Sequence, residues 1–92
     1  MITISEFRRR VAELDGQRLE TGPRKRGFTI RVTDSGLEFT PESSRKPRLE
    51  GWQRIERVLD HYNETHSMTR RDYTDITRCG SYVLTILQRL FK

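Results

Sequence analysis

At 92 residues and 11.0 kDa the chain has room for one small domain, because a chain of this length buries only about 60–65% of its unfolded surface. Val, Ile, Leu and Phe supply 22 side chains, above the level of roughly 20% where disorder is the default, and no apolar run approaches the ~18 residues of a membrane span. Eighteen Lys and Arg against 13 Asp and Glu leave a net charge of +5 and a pI near 10.0, which makes an acidic partner plausible.

The first predicted element is a helix from about Thr3 to Leu14, where Ile4, Phe7, Val11 and Leu14 recur at helical spacing. Thr3 and Glu6 have the spacing of a capping box, and Asp15-Gly16 supplies a stop. The period then changes to two. Phe28, Ile30 and Val32 alternate with polar residues, as do Leu37 and Phe39, and Asp34-Ser35-Gly36 carries the turn residues between them. This predicts a hairpin with one buried face, with a third strand through Leu19 at Gln17–Thr21. Two prolines and two serines in Pro41–Arg48 predict a linker. Trp52, Ile55, Val58, Leu59 and Tyr62, preceded by Leu49, predict a helix from Leu49 to Asn63.

Thr69 has the form of an N-cap with Asp72 at the third helical position, predicting a short helix from Arg70 to Thr77. A break at Cys79-Gly80-Ser81 precedes the last helix, Tyr82 to Phe91. The expected fold class is therefore α+β within a single domain, 1–92. Residues 1–40 supply the N-terminal helix and a two- or three-stranded antiparallel hairpin or meander, 41–48 the linker, and 49–92 a three-helix C-terminal subdomain. Tyr62, Tyr73 and Tyr82 are expected at the junction of those three helices.

Basic residues cluster as Arg8-Arg9-Arg10, Arg24-Lys25-Arg26, Arg45-Lys46 with Arg48, and Arg70-Arg71. Such clusters attract phosphates and release their counterions. Fifteen of the 18 basic residues are arginine, so a coding bias toward arginine is a competing source of the excess, as is an ordinary mixed-charge surface. Arg24, Lys25, Arg26, Arg45 and Lys46 are the loop residues expected to contact nucleic acid.

The succession of a longer helix, a short helix, a Gly-containing turn and a closing helix over residues 49–91 resembles the helix-turn-helix of DNA-binding proteins. Ile76 would be the core residue of the first motif helix, and Val83 and Ile86 those of the second. The chain departs from the pattern at Tyr73, where a small residue is usual, and at Thr77, where glycine usually opens the turn. The resemblance implies DNA binding, with Arg70 and Arg71 on phosphate and a reading helix at Ser81–Arg89. Ser81, Thr85, Gln88 and Arg89 would then face the bases, Gln88 suited to adenine and Arg89 to guanine.

The last helix also supports a different reading. Its apolar arc, from Tyr82 to Phe91, exceeds half its circumference, which suits a homodimer or a docked partner through Leu84, Leu87 and Phe91. On that reading the chain is a protein-interaction adaptor or inhibitor that recognises an acidic protein surface, of a kind carried by phage or mobile elements. Enzyme chemistry is not expected. His61 and His66 lack a helical-face spacing, Asp34, Glu38 and Glu42 have no lysine two residues after either glutamate, and Cys79 has no adjacent histidine. No cofactor or metal is expected, a single cysteine excludes an internal disulfide, and the absence of a secretory pattern at Met1 leads to the expectation of a cytoplasmic protein without a membrane partner.

Overall fold

The computed structural model describes residues 1–21 and 25–91. Helix α1 (Ile4–Val11) begins where Thr3 Oγ1 accepts the Glu6 amide at 3.1 Å, and it buries Phe7 and Val11. A 3-10 turn, Ala12–Leu14, adds Leu14 to the same buried face. Gly16, at φ 79°, then reverses the chain in a backbone region that side chains rarely adopt.

Four strands follow: β1 (Arg18–Glu20), β2 (Gly27–Val32), β3 (Gly36–Pro41) and β4 (Arg48–Gly51). They form an antiparallel meander in the order β1-β2-β3-β4. Cross-strand pairs Ile30–Phe39 and Val32–Leu37 set one apolar face, which Leu19 joins through its pairing with Phe28. The class is α+β, as expected, with the third strand present and a fourth added.

Strand β4 occupies the end of the expected linker and the start of the expected helix. Its register pairs Leu37 with Glu50 and Glu38 with Leu49. The carboxylate is consequently turned into the core, 3% exposed, and the leucine outward, 57% exposed. Helix α2 (Trp52–Thr65) starts three residues later than the sequence spacing suggested. It buries Ile55, Val58, Leu59 and Tyr62. Asn63 on α2 clasps the residue before α1: its Oδ1 accepts the Ile2 amide and its Nδ2 donates to the Ile2 carbonyl, both at 2.8 Å.

The short helix expected at Arg70–Thr77 is instead a 3-10 turn, Arg70–Tyr73. The amides of Ile76 and Thr77 both donate to the Tyr73 carbonyl at 2.9 Å. The chain turns there instead of continuing, because Thr77 and Cys79 are engaged elsewhere. Thr77 Oγ1 donates to Glu50 Oε2 at 2.7 Å and accepts the Cys79 amide at 2.9 Å. Helix α3 (Gly80–Phe91) then buries Val83, Leu84, Ile86, Leu87 and Leu90 against the sheet and the other helices. One continuous apolar cluster joins Phe7, Phe28, Phe39, Ile55 and Ile86 across all these elements.

The tyrosines divide their work. Tyr73 is fully buried among the helices, its hydroxyl donating to the Ser67 carbonyl at 2.6 Å and its ring edge-on to His61. Tyr82 does not join that junction. It packs on the sheet, with ring centroids 4.7 Å from Phe28 and 5.3 Å from Phe39, nearly parallel to the latter. No helix among the described residues is long and apolar enough to cross a membrane.

Candidate functional site

In an antiparallel meander the β1–β2 and β3–β4 connections emerge at the same end of the sheet. That topology brings the basic residues around 25–26 and 45–48 together, although some twenty residues separate them in sequence. Lys25 and Arg45 hold positive φ, 49° and 56°, and both are exposed. The Arg45 amide closes its turn on the Pro41 carbonyl at 2.8 Å.

Between this end of the sheet and α3 lies a groove of about 1000 Å³. Ser81, Tyr82, Leu84, Thr85 and Gln88 of α3 form one wall. Thr21, Arg26, Gly27, Pro41, Glu42, Ser43 and Arg48 form the other, and Met68, Arg70 and Arg78 close one end. A smaller depression of about 390 Å³ shares Thr85 and Gln88 with it and continues past Leu19 to Arg89.

The charges in this groove are unequally compensated. Among the described residues, the ion pairs are those of Arg18 with Glu20 and with Glu42, both 2.9 Å. Arg26, Arg48, Arg70 and Arg78 take part in none. Glu42, the one acid on the groove wall, is held by Arg18 Nε at 3.0 Å and Nη2 at 2.9 Å. Those hydrogen bonds hold its carboxyl below the usual carboxylate range. Arg18 sets one positive charge against Glu20 and Glu42 together, so this triad keeps a net charge of −1 beside four arginines that form no ion pair, and the groove stays net positive.

Behind the arginines sits the buried group Glu50, Thr77 and Cys79. Glu50 Oε2 accepts from Thr77, while Oε1 has no hydrogen-bond partner. Burial, and then the adjacent Glu50 charge, pushes the Cys79 thiol up to about 11. A thiol 4% exposed and so strongly protonated is a packing residue, not a nucleophile. No group of three or more His, Cys, Asp or Glu among the described residues is arranged to hold a metal ion.

The residues expected to contact nucleic acid are only partly brought together. Arg26, Arg70, Ser81, Thr85 and Gln88 share the main groove, and Arg89 borders the depression that continues it. Lys25, Arg45, Lys46 and Arg71 are exposed outside its walls. Arg24 lies outside the described residues. Thr85 Oγ1 donates to the Ser81 carbonyl at 2.7 Å, so its proton is engaged within the helix and it offers a ligand only acceptor capacity.

Sequence reasoning left Arg48 and Arg78 out of the site. Arg48 pairs with Phe39 at the loop end of the sheet, and Arg78 immediately precedes the turn into α3. The signal for Arg78 was its position before a helix start, but nothing in sequence tied either residue to Arg26.

The proposed protein interface is differently placed. Leu84 is 5% and Leu87 1% exposed, so both are packed largely within the chain's own core. Phe91 is half-buried beneath Arg10, whose guanidinium carbon lies 4.5 Å from its ring centroid. Of the apolar arc, Val83, Leu84, Ile86, Leu87 and Leu90 are buried, while Tyr82 and Phe91 are half-buried. The chain matches no protein-family model, no curated protein and no solved structure.

Proposed function

We propose that this chain is a nucleic-acid-binding module that holds a phosphate backbone in the groove between α3 and the loop end of the sheet. One observation carries this reading. Four arginines from four separate places in the chain, Arg26, Arg48, Arg70 and Arg78, converge on one groove without carboxylate partners. Arginine excess from coding bias alone has no reason to concentrate unpaired guanidinium groups in one concavity. Arginine forks match phosphate oxygens bidentately, and Ser81 and Gln88 add neutral donors and acceptors along the same wall.

The helix-turn-helix reading of α3 has less support than the groove. Its first motif helix is replaced by the turn Arg70–Tyr73. The polar residues of α3 form a groove wall instead of a projecting ridge.

Fluorescence anisotropy with a labelled oligonucleotide, titrated at several salt concentrations, tests the proposal. Four phosphate contacts predict a log–log salt slope of about −3, and each Arg→Gln change among the four should reduce it by about 0.7–0.9. Arg9→Gln with Arg57→Gln, exposed and outside the groove, should leave the slope unchanged. Negligible affinity for every nucleic acid at low salt would overturn the proposal and favour the protein-binding adaptor.

A further inference from the structure

Resting on that nucleic-acid reading, we infer that the groove takes a single strand with its bases turned inward, not a duplex. The shape of the site comes first. A helix that reads duplex DNA must stand proud of the protein to enter a major groove about 12 Å wide, leading with its N-terminal residues. Here Ser81 and Tyr82, at the start of α3, are recessed between the Arg70–Arg78 segment and the Pro41–Glu42 end of the sheet. A duplex would meet the rim and not the helix.

The chemistry of floor and rim agrees. Tyr82 is half-buried and lines the groove, and its ring is stacked on the fully buried Phe39 at an interplanar angle of 27° and leans on Phe28. Those contacts hold the aromatic side chain in place at the groove before any ligand arrives. Met68, partly buried, adds a second apolar side chain to the same lining. Unpaired bases have π-faces to set on such a floor, while their phosphates reach the arginines at the rim; paired bases have no such faces to offer.

The length is adequate for a short run of nucleotides. Ser81 and Gln88 stand about 11 Å apart along the helix. The shallower depression that shares Thr85 and Gln88 extends the same track to Arg89.

Competition binding at about 0.15 M salt tests this, using oligo-dT and oligo-rU of about twelve nucleotides against blunt hairpin duplexes of equal phosphate number. Either single strand should bind at least about tenfold more tightly than its hairpin. Equal or tighter hairpin binding overturns the single-strand inference and leaves the nucleic-acid reading standing. Absence of binding by all four, at low salt as well, removes both. Tyr82→Phe should bind within about twofold of the parent and Tyr82→Leu about tenfold more weakly. Where the leucine variant fails to fold, photocrosslinking of the parent protein with a 5-iodouracil oligonucleotide decides. Crosslinks at Tyr82 or Met68 support the inference, and crosslinks confined to residues outside the groove overturn it.

Discussion

At the hairpin end of the sheet, Trp52 Nε1 donates to the Asp34 carbonyl at 3.0 Å, Thr33 Oγ1 both donates to and accepts from Gly36, and Asp15 accepts the Val32 amide at 2.8 Å. At the opposite end, 25–48 turns carry Lys25 and Arg45 in left-handed backbone, and four guanidinium groups border a groove with no carboxylate of their own. The first end spends its polar groups on itself. Its turn is closed by short-range hydrogen bonds that specify the register of β2 and β3. The second end leaves its strongest charges uncompensated, at a cost in self-repulsion that only an anion relieves. On the proposed function, stability and recognition are therefore separated along the length of one small sheet.

Substitutions at the closed end should break the fold and spare the groove's chemistry. Gly36→Ala carries the largest expected effect, because a Cβ at this position would overlap the Glu50 backbone carbonyl on the neighbouring strand. The loss should be about 3 kcal/mol, read from the midpoint of urea unfolding, since β3 and β4 must part to admit the methyl group. A change below about 1 kcal/mol would mean that the two strands are less tightly registered than this comparison requires.

Glu50 lies between the two ends, and Glu50→Ala sharpens the division. It removes the acceptor of the Thr77 hydroxyl, so unfolding free energy should fall by about 2 kcal/mol. Affinity for an oligonucleotide at fixed salt should not fall, because the carboxylate contributes negative charge behind the arginines. Weaker binding in a variant that remains folded would place Glu50 in the recognition machinery instead.

The smallest effect concerns pH. Cys79 is raised from an ordinary value of 9.0 to about 11 by burial and by Glu50. An acid whose folded value is raised favours the folded state in its protonated form. Its contribution is thus fully present below about pH 9 and lost as pH rises through about 11. Cys79→Ala should flatten this part of the alkaline stability profile, measured by denaturant unfolding between these two values. An unchanged alkaline slope would show that the thiol is not the group responsible.

Much of the closed end was legible from residue order. Ile4, Phe7, Val11 and Leu14 announced the first buried face, and Asp34-Ser35-Gly36 marked the turn between two period-two runs. The fourth strand was not legible, for a definite reason. In β4 the acid faces the core and the leucine faces solvent, so its hydrophobic pattern is the inverse of what burial normally writes into a strand. Leu49 was read into the following helix as a result. The 3-10 turn at Arg70–Tyr73 was hidden similarly: Thr69 and Asp72 have the spacing of a helix start, but Thr69 makes no side-chain cap, Asp72 accepts from the Ser67 hydroxyl instead, and a buried hydrogen bond from Thr77 to Glu50 draws the chain away after one turn. The polar stripe on α3 and Arg70 were visible as candidates, whereas the meeting of Arg26 with Arg48 and Arg78 depends on strand order, which local spacing does not encode.

Trp52 is the chain's single tryptophan. Its indole is pinned at the hairpin end, with the Arg8 guanidinium carbon 4.5 Å from its ring centroid and its Nε1 proton on Asp34. The intrinsic emission of this protein is accordingly a reporter of whether the chain is folded and is remote from occupancy of the groove. Unfolding can therefore be followed by tryptophan emission in the presence or absence of a ligand, in one sample and without an added label.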